Sequence, residues 1–293
     1  MGELMLIKDN ESLQFKIEKL VTEYEAVSQI RDRRLFTDFL VNGYKMTTLS
    51  SVSSKNLDNV IFAKVCLGMI ITLYDDLADN PQYYNPKLLK SLYQLNLGDS
   101  SRKSTLAPDD VKTYELAQYL FLNLEKTLES FVNYSSMAEI LAFDIQHVFL
   151  ANRYSELITA NPSMRNMTES KVLGPYNMGM VAAGIIDLMA SPFFDKTETG
   201  HIREFLIKGQ RLGRIGNLVS TYQREINEGD VTNEILIEPK GSDLYKNELM
   251  NEFYEGLIEI KKLEKHVLCI DLNSYVDGLL RLYHLHINLE GII

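Results

Sequence analysis

Cysteine is scarce in this 293-residue chain, and tryptophan is absent. Two thiols, Cys66 and Cys269, exclude a disulfide framework or a cysteine-built zinc site. Both fall in apolar, helical sequence contexts, and a reducing cytoplasm is the expected compartment. Glycine and proline number 16 and 7, together below the roughly 12% of average usage. A chain with so few turn-makers is expected to form long helices. No apolar run reaches bilayer length, since the most apolar stretch, residues 60–73, is interrupted by Lys64 and falls short of the ~20 residues of a membrane span. It reads as a buried core helix. Residues 1–6 lack the basic region and apolar core of a secretion signal, and also the hydroxyl residue of a myristoylation signal.

Positive charge is in deficit. Thirty Lys and Arg stand against forty Asp and Glu, a formal charge of −10, which disfavours partners met through phosphate charge, such as nucleic acid or an anionic lipid surface. With 45% hydrophobic and 24% charged residues the composition is that of a globular protein with ample core material.

Helical spacing dominates the apolar pattern, as in Leu13, Ile17, Leu20, Val21 and Tyr24, then Leu35, Phe36, Phe39 and Leu40. No run of alternating strands is present. Turn chemistry collects at 47–54, 80–86, 98–108, 161–167, 191–199, 228–233 and 239–242. These breaks imply eight to ten helices, and without linker, repeat or composition shift the expectation is one all-α domain over residues 1–293. Gly174-Pro175 interrupts a helical pattern, and proline there removes a ladder bond and frees a carbonyl, so a kinked or broken helix is expected. Around it Gly179, Ala182 and Ala183 allow either close helix packing or room for a ligand.

Two polar clusters stand out on this background. In Asp75-Asp76-Leu77-Ala78-Asp79 the first and last carboxylates are four apart, hence on one helix face about 6 Å apart along the axis. Like charges at that spacing repel unless a cation sits between them. The second cluster, residues 214–225, puts Asn217, Thr221 and Glu225 on one stripe, three oxygen donors suited to Mg²⁺. Arg214 lies one turn before and Arg224 immediately precedes Glu225, giving cationic donors fit for a diphosphate. Taken singly, either cluster also fits a solvated helix face.

Together, 142 residues apart in an all-α chain, the clusters resemble the class I terpene synthases. Asp75, Asp76 and Asp79 match that family's aspartate-rich motif, and Asn217, Thr221 and Glu225 match its Asn-x-x-x-Ser/Thr-x-x-x-Glu motif. Residues 228–233 look like a Gly-Asp-x-x-Asn stretch that follows in bacterial members. Residues 169–179 and 212–217 are most similar to bacterial diterpene synthases of the ent-kaurene synthase type. Where many such members carry a diphosphate-sensing arginine this chain has Gly174, with Lys171 near it, and Arg281 and Tyr283 are the candidates for a C-terminal Arg-Tyr pair absent at 288–289.

The resemblance implies a helical bundle around an apolar cavity that ionises an allylic prenyl diphosphate, with three Mg²⁺ ions shared between the two motifs. A C20 substrate, geranylgeranyl or copalyl diphosphate, is the expectation. Asp76, grouped with the metal-binding carboxylates, is also placed to orient an arginine. Arg214 and Arg224 would meet the diphosphate, with Lys171 and Gly174 beside it, and broken-helix carbonyls at 174–177 would face the cation. Without Trp, cation-facing rings must come from Phe and Tyr: Phe36, Phe39, Phe62, Phe143, Phe149 and Tyr176, each also a plausible core residue. Met178 and Met180 are candidates for the pocket wall. The five histidines, at 147, 201, 266, 284 and 286, show no metal-ligand spacing. No Asp-x-Asp-Asp motif occurs, so protonation-initiated cyclisation is not expected. A homodimer, common among relatives, is compatible with the sequence; nucleic acid and a membrane span are not expected. The rivals are a trans-prenyltransferase, which would need a second Asp-rich cluster in place of the Asn/Thr/Glu stripe, and a non-catalytic helical interaction protein.

Overall fold

A computed structural model of the chain describes residues 6–8, 11–95, 106–238 and 241–289. The expected breaks at 98–108 and 239–242 therefore lie partly outside the described residues, as do residues 1–5. Among the described residues there is no strand. The α-helices are α1 (Leu13–Glu25), α2 (Val41–Met46), α3 (Leu57–Ala78), α4 (Pro86–Leu95), α5 (Pro108–Glu129), α6 (Tyr134–Ala160), α7 (Met167–Leu173), α8 (Met180–Met189), α9 (Thr199–Glu228), α10 (Glu234–Ile237), α11 (Ser242–Lys261) and α12 (Asn273–Asn288). This exceeds the eight to ten expected because several turns contain neither glycine nor proline. Residues 26–34, between α1 and a π-helical turn at Leu35–Leu40, are one such turn.

Local chemistry sets the helix ends. Ser12 caps α1 by accepting from the Phe15 N–H (3.4 Å), and Pro108 opens α5, where its missing N–H costs nothing. Asn166 accepts from the Glu169 N–H (2.9 Å) while its amide donates to the Glu169 carboxylate (2.6 Å), a reciprocal cap for α7. The break foreseen at Gly174-Pro175 runs through a 3₁₀ turn, Gly174–Met178, to Gly179 at φ +60. A Cβ on Gly179 would stand 2.3 Å from Ile71 Cδ1, so glycine is required there for both backbone angle and space.

At the centre lies α3, apolar on every face and buried along most of its length. Its 22 residues exceed the apolar run read from the sequence, and α3 and the segment 167–189 both match a bilayer span in length and composition. However, 78% and 67% of their apolar windows are buried inside the protein, so both are core elements. Cys66 is buried in α3, whereas Cys269 lies in an irregular connection after α11 and not in a helix.

One ion pair crosses this core. Lys64 of α3 meets Asp187 of α8 at 2.6 Å, both side chains fully buried. Asp187 also accepts from the Leu49 N–H (3.0 Å), and the Lys64 ammonium donates to Thr48 Oγ1 (3.1 Å). Burial pushes the Asp187 carboxyl up to about 6 and draws the Lys64 ammonium down, each opposed by the partner's charge. The pair ties α3, α8 and the chain leaving α2 into one unit. Lys64→Met should therefore cost about 3–5 kcal/mol by stranding the carboxylate, while Lys64→Met with Asp187→Leu should recover most of it. Urea unfolding of the two variants checks this; a single variant within 1 kcal/mol of the parent would remove the pair's structural role.

Candidate active site

The C-terminal end of α3 carries the aspartate-rich cluster. Asp75 lies in its last turn and Asp79 is its C-cap, the Asp79 N–H donating to the Asp75 carbonyl (3.0 Å). Both line a cavity of about 140 Å³. Asp76 points elsewhere and is buried against Arg31, whose Nη2 is 2.5 Å from Asp76 Oδ1 and whose Nε donates to it at 2.7 Å. Arg31 also lines the cavity. Burial works against the charge of both partners, but the carboxylates Asp76, Asp75 and Asp79 hold the Arg31 guanidinium firmly protonated.

The second cluster comes from the C-terminal half of α9. Arg214, Asn217, Arg224 and Glu225 all line the same cavity. Arg214 Nη1 donates to Asn217 Oδ1 (2.8 Å), and Arg224 Nη1 pairs with Glu228 (2.6 Å). Thr221 is fully buried, donates to the Asn217 carbonyl (2.8 Å) and does not line the cavity; Thr232 does. Gly229 ends α9 at φ +75, and the Asp230 N–H reaches back to the Glu225 carbonyl (3.0 Å), a glycine-terminated cap that folds residues 230–233 over the helix end. Within this fold-back the Asn233 amide donates to Glu225 Oε2 (2.6 Å). The Gly-Asp-x-x-Asn stretch thus orients a cavity carboxylate and places a buried one, Asp230, close enough for its charge to act on Asp79.

The broken helix supplies the third wall. Gly174, Asn177 and Met178 line the cavity, and Asn177 Nδ2 donates to Asp75 Oδ1 (2.5 Å). A Cβ on Gly174 would be 3.7 Å from Arg214 Nε, so the bare backbone lies against that guanidinium.

Negative charge accumulates in this assembly. Burial and then the charges of Asp75 and Asp230 hold the Asp79 carboxyl well above its ordinary range. Burial, with Glu225 next, pushes Asp230 up to about 7. Two helix C-termini, each carrying about −0.5 elementary charge, end at these acids. Among the described residues no three His, Cys, Asp or Glu side chains are grouped closely enough to hold a metal ion by themselves. Mg²⁺ does not need such a cage, because it usually takes one or two carboxylates plus waters and substrate phosphate oxygens. Two buried atoms of cavity-lining residues, Asn177 Oδ1 and Arg214 Nε, have no hydrogen-bond partner. An amide oxygen and a guanidinium N–H are what a hydrated cation and an anionic oxygen respectively accept and require. The residues present therefore fit a Mg²⁺–anion cluster.

Other expected site residues lie elsewhere. Lys171 is exposed and sits over the Tyr245 ring (5.6 Å). Tyr176 stacks on His147 (centroids 4.8 Å), which also meets the exposed Phe143. Phe36 packs on Tyr24 (4.5 Å), and Phe62 lies under Lys16 (5.3 Å). Phe149 stacks on Tyr74 (5.1 Å) and lines a separate groove of about 750 Å³ between α4, α5 and α6, which is larger than the carboxylate cavity but lacks its convergent charges. Of the proposed rings, Phe39 lines the carboxylate cavity. Arg281 is exposed, and Tyr283 stacks on Phe253 (4.5 Å). His286 is buried beside Phe39, its proton affinity lowered by burial to about 4. Arg31, Asn177, Asp230 and Asn233 were absent from the set chosen by motif; only Asp230 and Asn233 had a sequence signal.

A raised carboxyl pKa means that the folded chain holds its proton where the unfolded chain has lost it, so the stability from that group falls as pH rises from about 4 through neutrality. Asp79→Asn should remove one such group. In metal-free buffer the variant is expected to gain in thermal stability relative to the parent as pH rises across that window, and millimolar Mg²⁺ should raise the parent more than the variant. Thermal unfolding with and without Mg²⁺ measures both; a difference independent of pH and metal would contradict the repulsion.

No family model matches the chain, and no curated protein sequence does. Solved structures are similar. Isoprene synthase from grey poplar leaves (Populus x canescens), in complex with three Mg²⁺ ions and dimethylallyl-S-thiolodiphosphate, matches with a TM-score of 0.66 at 15% identity, over 95% of this chain and 54% of that one. A second structure of that enzyme gives a TM-score of 0.66, 14% identity and coverage of 95% and 53%. This chain spans about half the length of those proteins. The likeness is one of fold, and the helical arrangement described above is the class I terpene synthase fold.

Proposed function

We propose that the chain is a Mg²⁺-dependent class I terpene synthase that ionises an allylic prenyl diphosphate. The observation that carries this reading is the convergence of Asp75 and Asp79 from α3, and Asn217 and Glu225 from α9, on one cavity also lined by Arg31, Arg214 and Arg224. A diphosphate is the ligand that such a mixture of carboxylates and guanidiniums accommodates, with divalent cations between the two acidic helix ends. In the poplar enzyme that ligand class and three Mg²⁺ ions are present together.

Asp75, Asp79, Asn217 and Glu225 would hold the metal, with Asp230 available beside them. Bound Mg²⁺ supplies Lewis-acid stabilisation to the departing diphosphate. Arg214 and Arg31 donate hydrogen bonds to anionic oxygens, and both are held in place beforehand, by Asn217 and by Asp76. The allylic C–O bond breaks heterolytically, its electron pair leaving with the diphosphate. Phe39, Leu40, Tyr44, Ile71 and Met178 form the apolar side of the cavity and exclude water from the cation. The Phe39 ring offers it a π face, worth about 0.5–2 kcal/mol.

Chain length admits two readings. Resemblance in 169–179 and 212–217 supports a C20 substrate. The small cavity, about 140 Å³, favours a shorter one. Incubation with C5, C10, C15 and C20 prenyl diphosphates and copalyl diphosphate, with and without Mg²⁺, followed by gas chromatography, separates these readings. Metal-dependent diphosphate release with a hydrocarbon product is expected from at least one substrate. Asp75→Ala and Asn217→Ala should each lower kcat by roughly 10²–10³ while keeping the fold. Chain elongation with isopentenyl diphosphate would indicate a prenyltransferase, and no metal-dependent release from any substrate would leave a non-catalytic helical protein.

A further inference from the structure

The carboxylate cavity runs along one face of α3. Gly68, Thr72 and Asp75 line it at successive turns, with Ile71 beside Thr72. From Gly68 to Asp75 is seven residues, about 10 Å along the helix axis. The end away from the carboxylates is closed by two side chains. Leu40, the last residue of the π-helical turn, and Tyr44 of α2 both seat on Gly68. A Cβ there would stand 2.8 Å from Leu40 Cδ1 and 2.7 Å from Tyr44 Oη. Glycine is unfavourable inside a helix, and here the side chain it lacks is the space that Leu40 and Tyr44 occupy.

Glycines in the flanking elements give no alternative room. The Cβ positions of Gly179, Gly213 and Gly216 are already met by Ile71 (2.3 Å), Met180 (2.3 Å) and His286 (3.2 Å). The small residues around the break thus serve close packing, and a chain that reaches Gly68 has no side branch to enter.

Tyr44 is also held from behind. Thr48 Oγ1 donates to the Tyr44 carbonyl (2.6 Å) and accepts from the buried Lys64 ammonium (3.1 Å). Lys64 lies one turn further from Asp75 than Gly68 does, and its ammonium is 6.0 Å from the centre of the Tyr44 ring. On the other side α12 packs on α2 through bare backbone. A Cβ on Gly278 would stand 1.9 Å from the Met46 carbonyl oxygen, and one on Gly43 would be 3.1 Å from Leu282 Cδ1. Packing this close leaves the ring no space to retreat when a longer ligand presses on it. The Tyr44 hydroxyl has no hydrogen-bond partner among the described residues, and burial alone pushes its pKa up. What Tyr44 brings to the cavity is therefore the bulk of its ring.

We infer that Tyr44, with Leu40, is the stop that sets prenyl chain length. With the diphosphate held between Asp75, Asp79, Asn217 and Glu225, the chain runs down α3 toward Gly68 and ends on the Tyr44 ring. Each isoprene unit adds roughly 5 Å of extended chain at C–C bonds of ~1.5 Å. C5 and C10 chains end within the span to Gly68, whereas C15 and C20 chains overrun it. This inference rests on the function proposed above and adds to it the residue that selects the substrate.

Diphosphate release from C5, C10, C15 and C20 prenyl diphosphates in Mg²⁺ tests the stop, and binding of inorganic diphosphate in Mg²⁺ reports separately on the carboxylate end. For the parent, kcat/KM on C5 or C10 should exceed that on C15 and C20 by at least ~10-fold. Tyr44→Ala and Tyr44→Ala/Leu40→Ala should raise kcat/KM on the next longer chain by at least ~10-fold while still binding inorganic diphosphate. Tyr44→Phe, which keeps the ring, should keep the parent's order of chain lengths. Gly68→Ala, whose Cβ pushes both side chains into the cavity, should lower use of the longest chain the parent accepts. If thermal unfolding shows that alanine at position 44 disrupts the fold, Tyr44→Leu reads the same shift. The stop is refuted if the parent uses C20 as well as shorter chains, or if variants shortened at position 44 bind inorganic diphosphate yet keep the parent's order. Release from no chain by the parent or any variant would instead overturn the functional reading, and the stop with it.

Discussion

Like charges converging on one small cavity are the constraint from which the rest of this structure follows. The long helices α3 and α9 both end there, bringing their negative dipole ends together, and each end carries carboxylates: Asp75 and Asp79 on one, Glu225 with Asp230 on the other. Packing alone would separate such groups. Their juxtaposition is tolerated because Arg31, Arg214 and Arg224 stand among them, because neighbouring amides donate to individual carboxylates, and because protons are held more tightly there than in water. On the function proposed above, that repulsion is relieved by a cation, and the guanidiniums meet the anion that arrives with it.

Several local features serve that convergence. Gly229 ends α9 and turns the chain back so that Asp230 and Asn233 face Glu225. The break at 174–179 carries Asn177 to Asp75 and lays bare backbone beside Arg214. The buried Lys64–Asp187 pair, nearer the opposite end of α3, fixes α8, which begins at that break. The two long helices thus act as rigid struts that hold the walls of the cavity in place.

Much of this was legible in the sequence. The helical class followed from apolar spacing and the shortage of glycine and proline, and both polar clusters, with the broken helix between them, were read from residue type and interval. What was not legible has a common cause. Arg31 comes from residues 26–34, a turn without glycine or proline, and its pairing with Asp76 spans 45 residues. Asn177 was recognisable as part of a break but not as a partner of Asp75, 102 residues away. The aromatic candidates failed to separate for a similar reason. At helical spacing, rings facing a cavity and rings facing the core have the same period, and only tertiary packing puts Phe39 at the cavity while Phe36, three residues earlier, fills the space against Tyr24.

The most direct test of the central claim is calorimetric titration of inorganic diphosphate into the full chain, with and without Mg²⁺, for the parent, Asp75→Ala and Asn217→Ala. If the two helix ends form one site for a metal–diphosphate cluster, the parent binds diphosphate only when Mg²⁺ is present, and either substitution, although the two lie on different helices, weakens binding by at least ~10-fold. Equal binding without Mg²⁺, or loss from one variant and none from the other, would contradict it.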